Sequence, residues 1–303
     1  MKKFLKNSPA MPFLDAHTHA YPEADLQLVV ERVAALDGHL PHDHPTKWQL
    51  VHDGSIDTLV LEEGRAGMDG FVLLPISGRM DGASRLNRWV ADLAARHPRI
   101  IPFGTLTPLS DSPEADLKEA LSLGIRGIKI HSVLQRIIPI EPRTLEWLEM
   151  IQPSGLPLLM DSMHLAGLRQ TKPHMKPLLD LWAPFETGPV QIAFLARTFP
   201  RITFIAAHLG CLYGWDQLEP LLRLDNVFFD LSFALEILPP AEIRTIINQK
   251  GTDHILFGSD CPWRDPAGSW QKFLELGLPG EEMEKIGGGN LIDLLGEQLQ
   301  NLE

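Results

Sequence analysis

Three apolar runs in this chain end in residues that bind metals or move protons. Phe13-Leu-Asp-Ala-His17-Thr-His19 closes on His-x-His. In an extended segment residues i and i+2 point to the same side, so His17 and His19 converge as a divalent cation requires. Two exposed histidines in a turn would give the same letters. Ile255-Leu-Phe-Gly-Ser-Asp260 ends in an acid that can ligate a cation and take a proton from water bound to it. A helix N-cap ahead of Pro262 is the alternative there. Phe204-Ile-Ala-Ala-His208-Leu-Gly sets a histidine after a buried run, as a ligand, as a group holding the cation's water, or as a core histidine.

The elements that must position these groups follow from eight short apolar runs, at residues 12–16, 70–75, 100–106, 127–130, 156–160, 202–207, 227–231 and 254–257. They are continuous rather than alternating, as strands buried on both faces of a parallel sheet are. Helical spacing lies between them. Residues 85–97 carry Leu86, Trp89, Val90 and Leu93 on one face, and Ser112-Pro113-Glu114 reads as a capped helix start that Gly124 ends. Strands alternating with helices imply right-handed βαβ units. Eight of them predict a single α/β domain over residues 1–303, a closed (β/α)8 TIM barrel, with an open doubly wound sheet as runner-up. All strand C-termini of a barrel open on one face, so the three motifs converge there. Two long gaps, 20–68 with its histidine-rich stretch Gly38-His-Leu-Pro-His-Asp-His-Pro45, and 163–198, follow strand ends. They read as lids or substrate loops, with plain surface insertion the alternative.

Composition narrows the partners. With 27 basic against 39 acidic residues the net charge is −12. Such a surface disfavours nucleic acid and anionic membranes, leaving a small-molecule substrate as the expected partner. Homodimerisation is the assembly to consider. Two cysteines, Cys211 and Cys261, make no disulfide framework, the first residues are too polar for a signal peptide, and no apolar run reaches a membrane span, so a cytoplasmic location is expected.

Taken together, Leu14-Asp-Ala-His-Thr-His19, Arg126-Gly-Ile-Lys-Ile-His131, residues 204–210, Phe229-Asp-Leu-Ser232 and Leu256-Phe-Gly-Ser-Asp-Cys-Pro-Trp263 resemble the amidohydrolase-2 family, which includes aminocarboxymuconate-semialdehyde decarboxylase. The motifs occur in family order across nearly the whole chain, and Gly288-Gly-Asn290 with Leu294-Leu-Gly296 matches the family's end. The resemblance implies a divalent metal, usually zinc, with manganese or another ion allowed and one or two ions per site. It implies His17, His19 and Asp260 as ligands and His208 as the histidine that orients the metal's water or binds a second ion. The chain departs at strand five, where the family has a ligating histidine and this sequence reads Leu156-Pro-Leu-Leu-Met-Asp161. Asp161 takes that place in the expected ligand set, with His164 and His131 as the other candidates.

Softer candidates for substrate contact are Lys129 and His131, which share parity and face inward, His164, Arg79 and Arg169 as carboxylate clamps, and Trp263 as a pocket wall beside Trp215. Structural pairs, solvated arginines and ordinary core are the alternatives. Cys211 and Cys261 read as packing residues. The expected reaction is hydrolysis of an ester, amide or lactone by metal-activated water, with Asp260 and His208 as catalytic residues. Nonoxidative decarboxylation of an unsaturated or aromatic carboxylate is the alternative. A metal- or ligand-binding barrel without turnover is the third.

Overall fold

The structure, a computed structural model, describes residues 11–37, 39–41, 47–76 and 82–296. Arg79 and residues 38 and 42–45 of the histidine-rich stretch lie outside them.

All eight apolar runs contain strands: β1 (Leu14–Thr18), β2 (Gly70–Leu73), β3 in two pieces (Ile100–Pro102 and Gly104–Thr105), β4 (Ile128–Ile130), β5 (Leu158–Met160), β6 (Phe204–Ala206), β7 (Val227–Asp230) and β8 (Ile255–Leu256). Each pairs in parallel with the next. The ring closes where Ala16 N donates to Phe257 O at 2.9 Å and Asp260 N to His17 O at 2.7 Å. The fold is a TIM barrel, not an open sheet.

Two local features shape its mouth. Between Asp15↔Phe71 and Thr18↔Leu73, β1 spends one residue more than β2. This bulge switches parity, so Leu14 and Ala16 join the barrel filling below while His17 and His19 turn inward above it. β3 breaks at Phe103, and the Asn87 side chain holds the piece beyond the break, accepting from Thr105 N at 2.8 Å and donating to Thr105 O at 3.0 Å. Only glycine fits at 104, since a Cβ there would lie 2.9 Å from Asn87 Oδ1.

Inside the ring, Val72, Ile101, Leu159, Ile205 and Leu256 pack in layers, and Leu291 and Leu295 of the helix Asn290–Leu295 plug the lower end. The opposite strand residues pack outward on helices such as Ala83–Arg96, Pro142–Ile151 and Pro189–Thr198. The start at Ser112 differs in detail from the expected cap. Pro113 does open the helix Pro113–Ser122, but Ser112 makes no side-chain cap, and Ser110 Oγ instead bonds Asp116 in the first turn. The two long insertions fold over the mouth. The first carries the helix Glu23–Asp37 and the second the helices Leu165–Thr171 and Lys176–Trp182. Among the described residues no helix is long and apolar enough to cross a membrane.

Candidate metal centre and active-site cavity

The bulge in β1 delivers His17 and His19 side by side, with their Nε2 atoms 3.2 Å apart. Asp260 closes the group from the end of β8: its Oδ1 lies 3.2 Å from His19 Nε2 and 3.6 Å from His17 Nε2. Asp260 is therefore not the helix cap its sequence allows. That role falls to Asp265, which accepts from Gly268 N at 2.7 Å. Asp260 Oδ1 is buried with no hydrogen-bond donor, an arrangement costly unless a cation compensates it.

The imidazoles are oriented from behind. His17 Nδ1 meets Asp230 Oδ2 at 2.9 Å, and His19 Nδ1 meets Leu74 O at 2.8 Å. Both acceptors fix the proton on Nδ1 and turn the Nε2 lone pairs toward Asp260. Burial, reinforced by cationic Lys129, lowers the His17 pKa to about 4, so it stays neutral at physiological pH. His17, His19 and Asp260 thus offer three ligand atoms of the kind a divalent cation takes.

A second ring of groups borders this cluster. Lys129 Nζ sits 3.3 Å from His17 Nε2 and 3.4 Å from Asp161 Oδ2, fully buried. Asp161 Oδ2 also faces His208 Nε2 at 3.6 Å and His131 Nε2 at 3.8 Å. Burial acts to raise the Asp161 pKa, but His131, Lys129 and His208 hold it well below the carboxylate range. Asp161 faces inward yet stands outside the three-atom cluster, because Lys129 lies between it and His17. For His208 burial acts downward, but facing Asp161, with Asp260 and Asp230 beyond, outweighs it and raises the pKa. His208 Nδ1 lies 2.9 Å from Ser232 Oγ, which in turn bonds Asp230.

Backbone geometry at two of these residues is unusual. His208 has φ +62° and Asp260 φ +67°. Left-handed backbone at a non-glycine costs about 1–3 kcal/mol. It is held by bonds from within the site: His208 N donates to Asp230 Oδ1 at 3.0 Å, and Asp260 N to His17 O.

Above the cluster opens a cavity of about 430 Å³. Its walls are mostly apolar, with Tyr21, Trp48, Trp182, Phe233 and Trp263 among them, and its floor is His19, His208, Asp161 and Asp260. Arg32, from the first insertion, also lines it. Trp263 is where its motif suggested. Trp215 is not a wall; its Nε1 donates to His208 O at 2.9 Å.

Two candidates are corrected. His164 turns away from the cavity and pairs with Glu186 at 3.0 Å, since it begins the helix Leu165–Thr171 rather than extending β5. Arg169 lies on the outer side of that helix, 2.5 Å from Asp180. The buried thiols are packing residues: burial pushes Cys211 up to about 12 and Cys261 further. Sequence reasoning missed Asp230 and Ser232 as supports, although both stand in the Phe229-Asp-Leu-Ser232 motif. It missed Arg32, Tyr21 and Trp48 because nothing local marks a residue of an insertion as facing a cavity.

The sequence matches the amidohydrolase family over residues 14–296. The chain belongs to that family. This amidohydrolase is an enzyme of its superfamily, and its donor set fits a divalent cation. No curated protein matches it in sequence. Solved structures that it resembles include 5-carboxyvanillate decarboxylase from Sphingomonas paucimobilis, with TM-score 0.67 and 16% identity over 94% of this chain and 99% of that one. The dihydroxybenzoic acid decarboxylase from Polaromonas sp. JS666, solved with manganese and the inhibitor 2-nitroresorcinol, gives 0.69 and 17% over 95% and 99%. A candidate 2-pyrone-4,6-dicarboxylic acid hydrolase from Pseudomonas putida gives 0.65 and 16% over 94% and 98%. At these identities the likeness establishes the barrel.

Proposed function

We propose that this amidohydrolase is a metal-dependent, nonoxidative decarboxylase of an aromatic or conjugated carboxylic acid. The carrying observation is the cavity itself: an imidazole and carboxylate cluster at the floor of an aromatic-walled chamber of about 430 Å³, room for one substituted ring. The decarboxylases among its structural relatives support the same reading.

His17, His19 and Asp260 would hold the ion, as the orphaned Asp260 Oδ1 and the two inward Nε2 atoms suggest. Two imidazoles and a carboxylate suit zinc and manganese alike, and the manganese of the Polaromonas relative makes it the first ion to try. When bound, a divalent cation supplies an anchor for substrate oxygens and a sink for the charge released as the carbon–carbon bond breaks. Asp161 serves better as the counter-charge to Lys129 and His208 than as a fourth ligand. The pair from the breaking bond stays on the ring carbon, carbon dioxide leaves, and the carbon takes a proton. His208 would be the donor: facing Asp161 raises its pKa, Ser232 Oγ accepts at Nδ1, and Nε2 meets Asp161 Oδ2 at 3.6 Å on the cavity floor. The mostly apolar walls would lower the local dielectric around a bound ring, which favours a charge-dispersing step, and Arg32 would take a second anionic group of the substrate.

Hydrolysis is the second reading, favoured by the Pseudomonas relative. Asp260 and His208 would then take and return the proton of a water attacking a lactone or ester. Metal-loaded protein offered hydroxybenzoates, 5-carboxyvanillate and 2-pyrone-4,6-dicarboxylate tests both. Carbon dioxide release with one proton taken up supports decarboxylation; ring opening without it installs the hydrolase. Turnover of none of them by protein carrying stoichiometric metal overturns both.

A further inference from the structure

The two insertions rise from β1 and β5, which stand on opposite sides of an eight-stranded ring, and they meet above the cavity. Their contact is built on charge. Asp37, the last residue of the helix Glu23–Asp37, bonds Lys172 Nζ through one carboxylate oxygen, with both side chains fully buried. Its other oxygen lies 2.8 Å from His174 Nε2, and Trp48 N donates to the first at 2.8 Å. Lys172 Nζ also lies 4.8 Å from the centre of the Trp48 ring, and His39 stands edge-on to His174.

Three observations make this cluster more than a surface tie. First, Val33 and Asp37 are the only buried side chains in the fifteen-residue helix, so apolar packing contributes little to its seating. Second, an acid at a helix C-terminus opposes the helix dipole, and this last turn has no basic residue of its own. The compensating cation comes from the other insertion. Third, a buried ion pair loses hydration when it forms and regains it when it parts, which offsets part of the cost of opening, an offset that an all-apolar seam lacks. Val29, Arg32, Val33 and Leu36 of the same helix line the cavity, so its position sets access.

We propose that Asp37, Lys172 and His174 form a latch that seats the helix Glu23–Asp37 as a lid, and that ligand entry requires the latch to part. Hydrogen–deuterium exchange on the full metal-loaded chain tests this without a substrate. Asp37→Asn and Lys172→Met, made one on each insertion, should each speed amide exchange across the helix Glu23–Asp37 at least tenfold. Exchange in β5 and β6 should stay at the wild-type rate. Lys172→Met is decisive, because it must act on a helix it does not belong to. Unchanged exchange in the helix for either variant overturns the latch. So does an equal rise in the strands, which would make the cluster a support of the whole barrel.

Discussion

The chemistry of the site turns on a few side chains whose surroundings differ sharply. His17 and His19 face the ion's place with lone pairs set from behind, so the double change His17→Ala with His19→Ala should drop bound metal below about 0.2 per chain, reading a stoichiometric site as near one, while circular dichroism remains that of a folded barrel. Elemental analysis checks it; full metal in the variant would remove the central assignment. His208 stands differently, oriented by Ser232 and with its pKa raised by Asp161. We expect His208→Asn to keep its metal yet lower kcat by about 100- to 10,000-fold, the usual worth of a positioned acid–base group. Metal loss equal to that of the His17 and His19 changes would make it a ligand. Asp15 offers a test by pH. Burial raises its pKa from 3.8 to about 7, against hydrogen bonds from Ser259 and His17. A carboxyl raised in the fold contributes fully below its unfolded pKa and loses that contribution as pH rises toward its folded value. Asp15→Asn does not titrate, so its stability should gain on the wild type between about pH 4 and 7, by at most about 1.4 kcal/mol per unit. Thermal unfolding across that range measures it, and a flat difference would discount the shift.

At the scale of elements, irregularities do the positioning. The β1 bulge turns both histidines inward, and Asp15 ties β1 to β8 by accepting from Ser259 N at 3.1 Å. The break in β3 survives because Asn87 replaces strand hydrogen bonds with its own amide. Asn87→Leu leaves the Thr105 N–H and C=O buried and unpaired, at about 1–3 kcal/mol each, so urea unfolding should show a loss of about 2–6 kcal/mol. A loss below about 0.5 kcal/mol would mean that these two bonds do not hold the break.

The whole molecule brings distant segments to one mouth: β1, β5, β6 and β8 supply the floor, and insertions from opposite sides the roof. A ligand that binds only the folded form stabilises it by mass action, about 2.7 kcal/mol at a concentration one hundred times Kd. Stripped protein should therefore melt lower and recover as manganese or zinc is added, and the His17 and His19 double variant should show no such recovery. Calorimetric scans at several metal concentrations decide this.

The barrel was legible in the sequence because buried parallel strands must be apolar throughout, and all eight runs carried that mark. His17, His19, His208, Asp260 and the inward-facing Asp161 were legible too, since each ends such a run and a barrel opens every strand end on one face. What a side chain meets there is another matter. That Lys129 stands between His17 and Asp161, that His164 starts a helix and leaves the mouth, that Arg169 finds Asp180, and that Asp265 rather than Asp260 caps a helix all depend on neighbours far away in the chain. So do Arg32 and the Asp37–Lys172 contact, which joins residues 135 positions apart. Periodicity and strand-end position are local and survive in a one-dimensional string; charge pairing and burial across insertions exist only once the chain has closed on itself.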